Sequence, residues 1–326
     1  MKRRVGIGVD VGASRVRVCV GDESGTLLWR KSTNMPFPTK VEGYVDELVS
    51  RVREGVEQVP TTADLAGIGI ASVGPLDLGK GGISSPANIP YEFVPLVKPL
   101  EEAFGNRVVL MNDANAAALG ERNFGAGKGQ DNLVFVTIST GIGGGAIVDG
   151  RLLIGKDGNA AEIGHMIVDP SGKLICGCGR RGHWEAYCSG RNLPNLAALL
   201  GTESTTEGSR MKGKIPSDAA SILKGASSGD PFASMVAREM GRLNAIGVAN
   251  LVEMYDPSLI TLGGGVCLNN MELILAPIKE LVPTYVINRA PEIIITPLGD
   301  DAGLLGGLSL VLDDQGAHQV ASHPYS

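Results

Sequence analysis

Aromatic residues are scarce in this chain: Phe, Tyr and Trp together make 4% of its 326 residues. Cysteine is sparse as well, five in all, an odd number. A chain of this length with so few thiols is not a disulfide-built secreted scaffold, and no disulfide framework is expected. No apolar run reaches the roughly 20 residues that a spanning helix needs, so no membrane segment is expected. Met1-Lys2-Arg3-Arg4 is basic. It leads into a strand pattern and not into the apolar core of a signal peptide, so a cytoplasmic location is the expectation. Lys and Arg form no long run and the net charge is −6. The electrostatic footprint of nucleic-acid binding is therefore missing. Pro/Ser-rich linkers are absent too, so any two domains must be joined by structured elements.

What is present is glycine, 46 residues of it, within a composition that is 43% hydrophobic and 20% charged. This suits a globular α/β protein built on Val, Ile, Leu and Ala, with many tight turns after strands. Periodicity predicts strands over 4–11, 15–21 and 26–32, which open the chain as two hairpins. Val41, Tyr44, Val45, Leu48, Val49, Val52 and Val56 have helical spacing over 41–58. A strand over 65–71, a helix over 94–104, a strand over 107–111 and a helix over 114–124 follow. The pattern then restarts. Residues 132–139 read as a strand, 140–144 as a turn and 145–148 as a strand, with Arg151-Leu152-Leu153 after it. Helices are expected over 191–200, 217–226, 230–254, 271–282 and 302–312, with strands over 259–262 and 292–297. A strand–turn–strand element therefore occurs near residue 10 and again near residue 140, a duplication of architecture that predicts two α/β lobes with a cleft between them.

The densest chemistry lies between Glu162 and Glu185. His165, Cys176, Cys178 and His183 fall within nineteen residues. Imidazole nitrogen and thiolate sulfur are the ligands of closed tetrahedral Zn²⁺ sites, and the intervening glycines let a chain turn around an ion. The segment reads as a loop clamped by structural zinc, holding the two glutamates at its rims; the alternative is a glycine-rich surface loop with two buried cysteines. Asp10-Val11-Gly12-Ala13-Ser14-Arg15 ends a buried strand with a carboxylate, a glycine and a hydroxyl. It suits Mg²⁺ at Asp10 and a phosphate on the turn, or it is an ordinary hairpin turn. Thr137-Ile138-Ser139-Thr140-Gly141-Ile142-Gly143-Gly144-Gly145 makes a second anion cradle, although it is neither a Walker A sequence nor a dinucleotide fingerprint. Leu262-Gly263-Gly264-Gly265-Val266 would let a nucleobase approach the backbone, or is a bare turn. Asn112-Asp113 opens a helix after a strand; Asp113 is either a general base or the helix cap.

Those motifs, in order, with Ser72-Val73-Gly74-Pro75, Pro86-Ala87-Asn88, Asn112-Asp113-Ala114-Asn115-Ala116 and Glu162-Ile163-Gly164-His165 added, resemble the ROK family from residue 5 to about residue 310. The family comprises sugar kinases, including bacterial and archaeal glucokinases and hexokinases, and related transcriptional repressors. The resemblance implies an α/β, two-lobed actin-like/hexokinase-like ATPase (ribonuclease H-like) fold. A small lobe would take 1–116 and the helix 302–312, a large lobe 117–301, and 313–326 would be a frayed tail. It implies Asp113 as the base acting on a sugar 6-hydroxyl, and Asn88, Asn112, Asp113, Glu162, His165 and Glu185 as sugar ligands. Asp10, Gly12, Ala13, Ser14, Arg15, Thr140, Gly141 and Gly143 would hold the ATP phosphates, with Mg²⁺ at Asp10. Gly263, Gly264, Gly265 and Val266 would lie at the adenosine. Zinc would be held by His165, Cys176, Cys178 and the residue at 183.

Two positions depart from the family pattern. The third cysteine of Cys-x-Cys-Gly-x-x-Gly-Cys is His183 here, which leaves a His₂Cys₂ set. The Gly-Gly-Thr-Lys after the first aspartate is Gly12-Ala13-Ser14-Arg15, which keeps a hydroxyl and a cation. The expected activity is ATP-dependent phosphorylation of a hexose at O6, glucose first, with an N-acetylmannosamine, N-acetylglucosamine or other hexose kinase as the alternative. A sugar-sensing repressor is disfavoured because the nine residues before Asp10 read as a strand and not as a DNA-binding helix pair, and an inactive sugar-binding protein because Asp113 and both phosphate turns are present. The family resemblance further implies a homodimer or homotetramer.

Overall fold

The computed structural model describes residues 2–85, 89–203, 209 and 215–313. Asn88 and the end of the chain from residue 314, which carry two of the expectations above, lie outside the described residues. The chain forms two compact units. Unit 1 takes the described residues of Met1–Asp131, Gly145–Ala161 and Asp301–Ser326, and unit 2 those of Asn132–Gly144 and Glu162–Asp300.

In unit 1, β1 (Arg3–Val11), β2 (Arg15–Asp22) and β3 (Leu27–Asn34) form the two expected hairpins. Helix α1 (Val41–Val56) follows, and then β4 (Ala63–Ser72). The short strands β5 (Leu76–Asp77), β6 (Gly82–Ser84) and β7 (Phe93–Pro95) make a small antiparallel sheet. Helix α2 (Val97–Phe104), β8 (Val108–Asn112) and α3 (Asp113–Phe124) complete the first run. The main sheet has the order β3-β2-β1-β4-β8, with β1, β4 and β8 parallel. The alternation in β1 sorts its two faces. Val5, Ile7, Val9 and Val11 are fully buried and share a core with Tyr44, Leu48 and Val52 of α1. The glycines between them face the last helix: a Cβ on Gly8 would come within 2.6 Å of the Leu304 carbonyl oxygen.

The small sheet was not expected, and the helix expected from 94 begins only at Val97. Val94 precedes Pro95, and the proline ring disfavours helical backbone in the residue before it. Strands of two or three residues are also too short to show a period of two.

In the second half of the chain come β9 (Leu133–Ile138), β10 (Ile142–Val148), β11 (Arg151–Leu152), α4 (Glu185–Cys188), α5 (Leu193–Glu203), α6 (Ala219–Ser227), α7 (Pro231–Tyr255), β12 (Leu259–Gly263), α8 (Gly265–Asn269), α9 (Met271–Tyr285), β13 (Glu292–Ile295) and α10 (Ala302–Leu312). The sheet order β11-β10-β9-β12-β13 repeats the connectivity of the first sheet, third–second–first–fourth–fifth strand, which is the duplication that the sequence suggested. Within unit 2, β9, β12 and β13 run parallel. β10 starts three residues earlier than expected because its glycines continue the strand instead of turning. A side chain at Gly144 would strike Ile163.

Helix α7 begins with Asp230 accepting from the Phe232 and Ala233 amides at 3.0 Å, and with Pro231 in its first turn, a favoured start. Its Gly241 and Gly247 face Pro277 and Trp184, leaving room for each ring. Helix α10, back in unit 1, is apolar around its circumference and buried along nearly its whole length, as such a helix must be.

Candidate active site and metal centre

The parallel strands of each unit end at one edge, and several of the expected site segments lie there. In unit 1 the register pairs Val11 with Ser72 and Ser72 with Asn112. The Asp10–Arg15 turn, the Ser72–Pro75 segment and Asn112-Asp113 are thus side by side at the carboxyl ends of β1, β4 and β8. This is where open α/β sheets bind ligands. In unit 2 Gly263 pairs with Thr137, which brings the 139–143 turn beside the Gly263–Val266 segment.

Asn112 and Asp113 stand at the start of α3, where the sequence left a general base and a helix cap open. Asn112 Oδ1 accepts from the Ala114 and Asn115 amides at 3.0 and 3.3 Å, so Asn112 is the cap of α3. Its amide nitrogen lies on the side of Gly74. Asp113 is the first residue of the helix, half-buried, with Oδ1 2.8 Å from the Ala114 nitrogen. Across the turn, Gly12 donates to the Arg15 carbonyl at 2.9 Å. Asp10 holds a partner that sequence reasoning passed over: Arg17 Nε donates to Asp10 Oδ2 at 2.8 Å, and a second guanidinium nitrogen bonds the same oxygen. The signal was present, since a hairpin that pairs Val11 with Val16 must pair Asp10 with Arg17.

The second turn is held from below. Gly190 and Arg191 donate to the carbonyls of Ser139 and Thr140 at 2.7 and 3.2 Å. Glu185 Oε2 accepts the Ile142 amide at 2.9 Å, and a Cβ on Gly141 would sit 2.5 Å from that oxygen. Gly264 has φ +87°, and a Cβ there would lie 2.5 Å from Thr137 Oγ1, so glycine is needed at that point. Gly265 begins the short helix α8, where a bare turn was one expectation.

The four metal-ligand candidates come together in unit 2. Ile163–His165 is a single tight turn pinned by buried Ile163. The chain then pairs Ile167 with His183 and Ile175 with Arg181. Between them Cys176 accepts from the Gly179 amide at 2.9 Å, folding Cys178 back toward the histidines. His165 Nδ1 and His183 Nδ1 are 3.2 Å apart, Cys176 Sγ is 3.8 Å from His165 Nδ1, and Cys178 Sγ is 3.3 Å from His183 Nδ1. All four ligand atoms lie within 4.8 Å of one another. Around a tetrahedral zinc the N–N, N–S and S–S edges would be about 3.3, 3.6 and 3.8 Å, so the spacing fits that ion. His183 stands where a cysteine was the family expectation, and one of its ring nitrogens lies with the other three ligand atoms.

The ionisation of these groups bears on metal binding. Burial, helped by neighbouring His165 and Arg180, holds His183 below the ordinary imidazole range, so its lone pair is available at neutral pH. Burial pushes the Cys176 thiol up to about 12, with Cys178 and the Glu185 charge adding to it, so binding a metal must expel that proton. His165 turns Nδ1 inward, and its Nε2 is 3.8 Å from Glu162 Oε2. Desolvation raises the Glu162 carboxyl above its usual range although 53% of the side chain is exposed; Glu185 adds to the shift and His165 opposes it. Trp184, between His183 and Glu185, is fully buried and donates its indole N–H to Asn244 Oδ1 at 2.8 Å. The five cysteines are all free thiols. Among the described residues no helix is long and apolar enough to cross a membrane.

Two α/β sheets of equal connectivity, each with a glycine- and hydroxyl-rich turn at the carboxyl end of its first strand, define a protein of the actin-like ATPase fold. Residues 6–314 match the ROK family, and the chain belongs to it. It is 33% identical over 311 residues to a glucokinase of Thermotoga maritima, covering 94% of this chain and 96% of that one. Among solved structures, a ROK hexokinase from Thermus thermophilus superposes with a TM-score of 0.83 at 33% identity, covering 96% of this chain and 99% of the other. A ROK family glucokinase from Streptomyces griseus in complex with glucose and AMPPNP gives 0.75 at 35% identity, covering 95% and 99%.

Proposed function

We propose that this chain is an ATP-dependent hexose kinase that phosphorylates glucose at O6. The full-length likeness to glucokinases supports the substrate, and the placing of Asp113 supports the chemistry. The observation that carries the reading is that Asp113 opens α3 at the strand end, next to Asn112, the cap of that helix.

In this reading Asp113 takes the proton of the sugar 6-hydroxyl as that oxygen attacks the γ-phosphorus. The new P–O6 bond forms as the bond to the β,γ-bridging oxygen breaks, and ADP leaves with that electron pair. Backbone N–H groups of the Gly12–Arg15 and Thr140–Gly143 turns hold the phosphates, with the Ser14 and Thr140 hydroxyls beside them. Gly263–Val266 meets the adenosine. Asn88, Asn112, Glu162 and His165 bind the ring hydroxyls, a polar set whose hydrogen bonds select stereochemistry. Mg²⁺ bound at Asp10 would supply charge neutralisation for the terminal phosphates. The His165, Cys176, Cys178, His183 set would hold zinc as a structural ion that fixes the tautomer and direction of His165. Glu185 acts in two directions, one oxygen on the Ile142 amide and the other 3.6 Å from Cys176 Sγ. It therefore ties the phosphate turn to the metal loop as well as facing the sugar. An ATP-consuming enzyme of this kind belongs in the cytoplasm. Exposed Met254, Tyr285 and Ile287 offer an apolar surface for self-association as a dimer or tetramer.

The test is a coupled assay with Mg-ATP across glucose, mannose, fructose, glucosamine and the N-acetylhexosamines. Glucose should give the highest kcat/KM, and Asp113→Ala should lose at least about a thousandfold in kcat while retaining glucose binding. No turnover on any hexose overturns the proposal. Turnover confined to an N-acetylhexosamine moves the enzyme to the alternative substrate class.

A further inference from the structure

At the end of β1 four charges alternate. Asp10 is bonded through Oδ2 by two nitrogens of Arg17, and a third nitrogen of Arg17 is 4.0 Å from Asp301 Oδ1. Asp301 is in turn paired with Arg30. The inner members are largely covered, with side-chain exposures of 14% for Asp10, 19% for Arg17 and 27% for Asp301, whereas Arg30 is 62% exposed. Among the described residues no donor reaches Asp10 Oδ1. That oxygen is a hard donor at a strand end, which suits a cation of the Mg²⁺ type.

A guanidinium cannot shed its charge by losing a proton. Arg17 therefore competes with any divalent cation that approaches Asp10, and the competition can be relieved only by movement. The structure provides somewhere to go. Asp301 sits at the start of α10 within ion-pair reach of Arg17, and its other partner, Arg30, is exposed and can share or release it.

We propose that Arg17 is a positioning residue that stands in for the divalent cation on Asp10 when no nucleotide is bound, and that Asp301 receives its guanidinium when the cation arrives. The contact neutralises a half-buried carboxylate in the empty enzyme and holds it at the site, and it sets a threshold that free cation must overcome. This inference rests on the reading of Asp10 as the carboxylate that meets the cation.

Titration of the purified full-length protein with Mn²⁺, followed by electron paramagnetic resonance without nucleotide, separates the two claims. Arg17→Gln should bind Mn²⁺ about tenfold more tightly than wild type, a difference of about 1.4 kcal/mol. Asp301→Asn should bind it about fivefold more weakly, because the carboxylate that receives Arg17 has then lost its charge. Asp10→Asn should lose the site. Unchanged or weaker binding by Arg17→Gln overturns the inference while the Asp10 reading stands, provided that Asp10→Asn has lost Mn²⁺. Unchanged binding by Asp10→Asn removes the Asp10 reading and the inference with it. If Arg17→Gln does not fold, Asp301→Asn decides alone, and unchanged or tighter binding there is the contrary result.

Discussion

Replacing Trp184 by Phe tests how the core holds the candidate site. The indole N–H donates to Asn244 Oδ1 at 2.8 Å, and both residues are fully buried. Among the described residues Asn244 Nδ2 already has no hydrogen-bond partner. The substitution would leave Oδ1 unpaired as well, and a buried orphan of this kind costs about 1–3 kcal/mol. Loss of the fused ring adds a cavity term of about 1 kcal/mol, well below the about 3–5 kcal/mol of a full truncation. The expected total is about 3 kcal/mol. In a unit of about 150 residues that lowers the unfolding midpoint by roughly 6–12 °C. His183 and Glu185 flank Trp184, so metal affinity should fall about tenfold to a hundredfold, as when the support of a ligand is removed. Calorimetry on the full chain and metal analysis read the two effects. Adding Asn244→Leu removes the orphaned amide and should recover at least about 1 kcal/mol, since replacing both partners by apolar groups is far less harmful than replacing one. A drop of under about 2 °C with full metal content, or no recovery in the double variant, would mean that the Trp184–Asn244 bond does not hold the site.

Gly141→Ala places a methyl group against Glu185 Oε2 and should break its bond to the Ile142 amide; the KM for ATP should rise about tenfold with the midpoint within a few degrees of wild type. His183→Ala, or a strong chelator, should lower bound zinc from about one per chain and destabilise the 165–183 loop, measured by metal analysis and hydrogen exchange. Asp22 gives the pH test. Burial raises its carboxyl, but the Ser24 hydroxyl, Arg3 and the Ser24 and Thr26 amides outweigh this and bring it down to about 2. A depressed carboxyl stabilises the fold above its unfolded value near 4, and that stability is lost as pH falls from about 4 to about 2. Asp22→Asn should therefore cost about 2 kcal/mol at neutral pH and flatten the acid limb in that window.

Much of this architecture is written in the sequence where packing leaves a period behind. The Val/Gly alternation of β1 marks both the face that meets α1 and the face that admits α10. The helix over 302–312 was legible from its unbroken apolar run. Signals failed where tertiary contacts decide. Gly143 and Gly144 read as part of a turn but continue a strand, and at Gly144 Ile163 leaves no room for a side chain. The four-residue helix at Glu185 is too short for any period and forms where Trp184 is buried. The metal cluster was legible because its ligands are close in sequence, whereas the Arg17–Asp301 contact joins residues far apart in the chain and left no local mark.

Phosphoryl transfer to O6 of glucose can be followed by phosphorus NMR of the product formed from glucose and Mg-ATP. The wild-type protein should give glucose 6-phosphate and ADP in equal amounts, and Asp113→Ala neither. ADP without a sugar phosphate, a phosphate on another hydroxyl, or undiminished product from Asp113→Ala would contradict the proposed function.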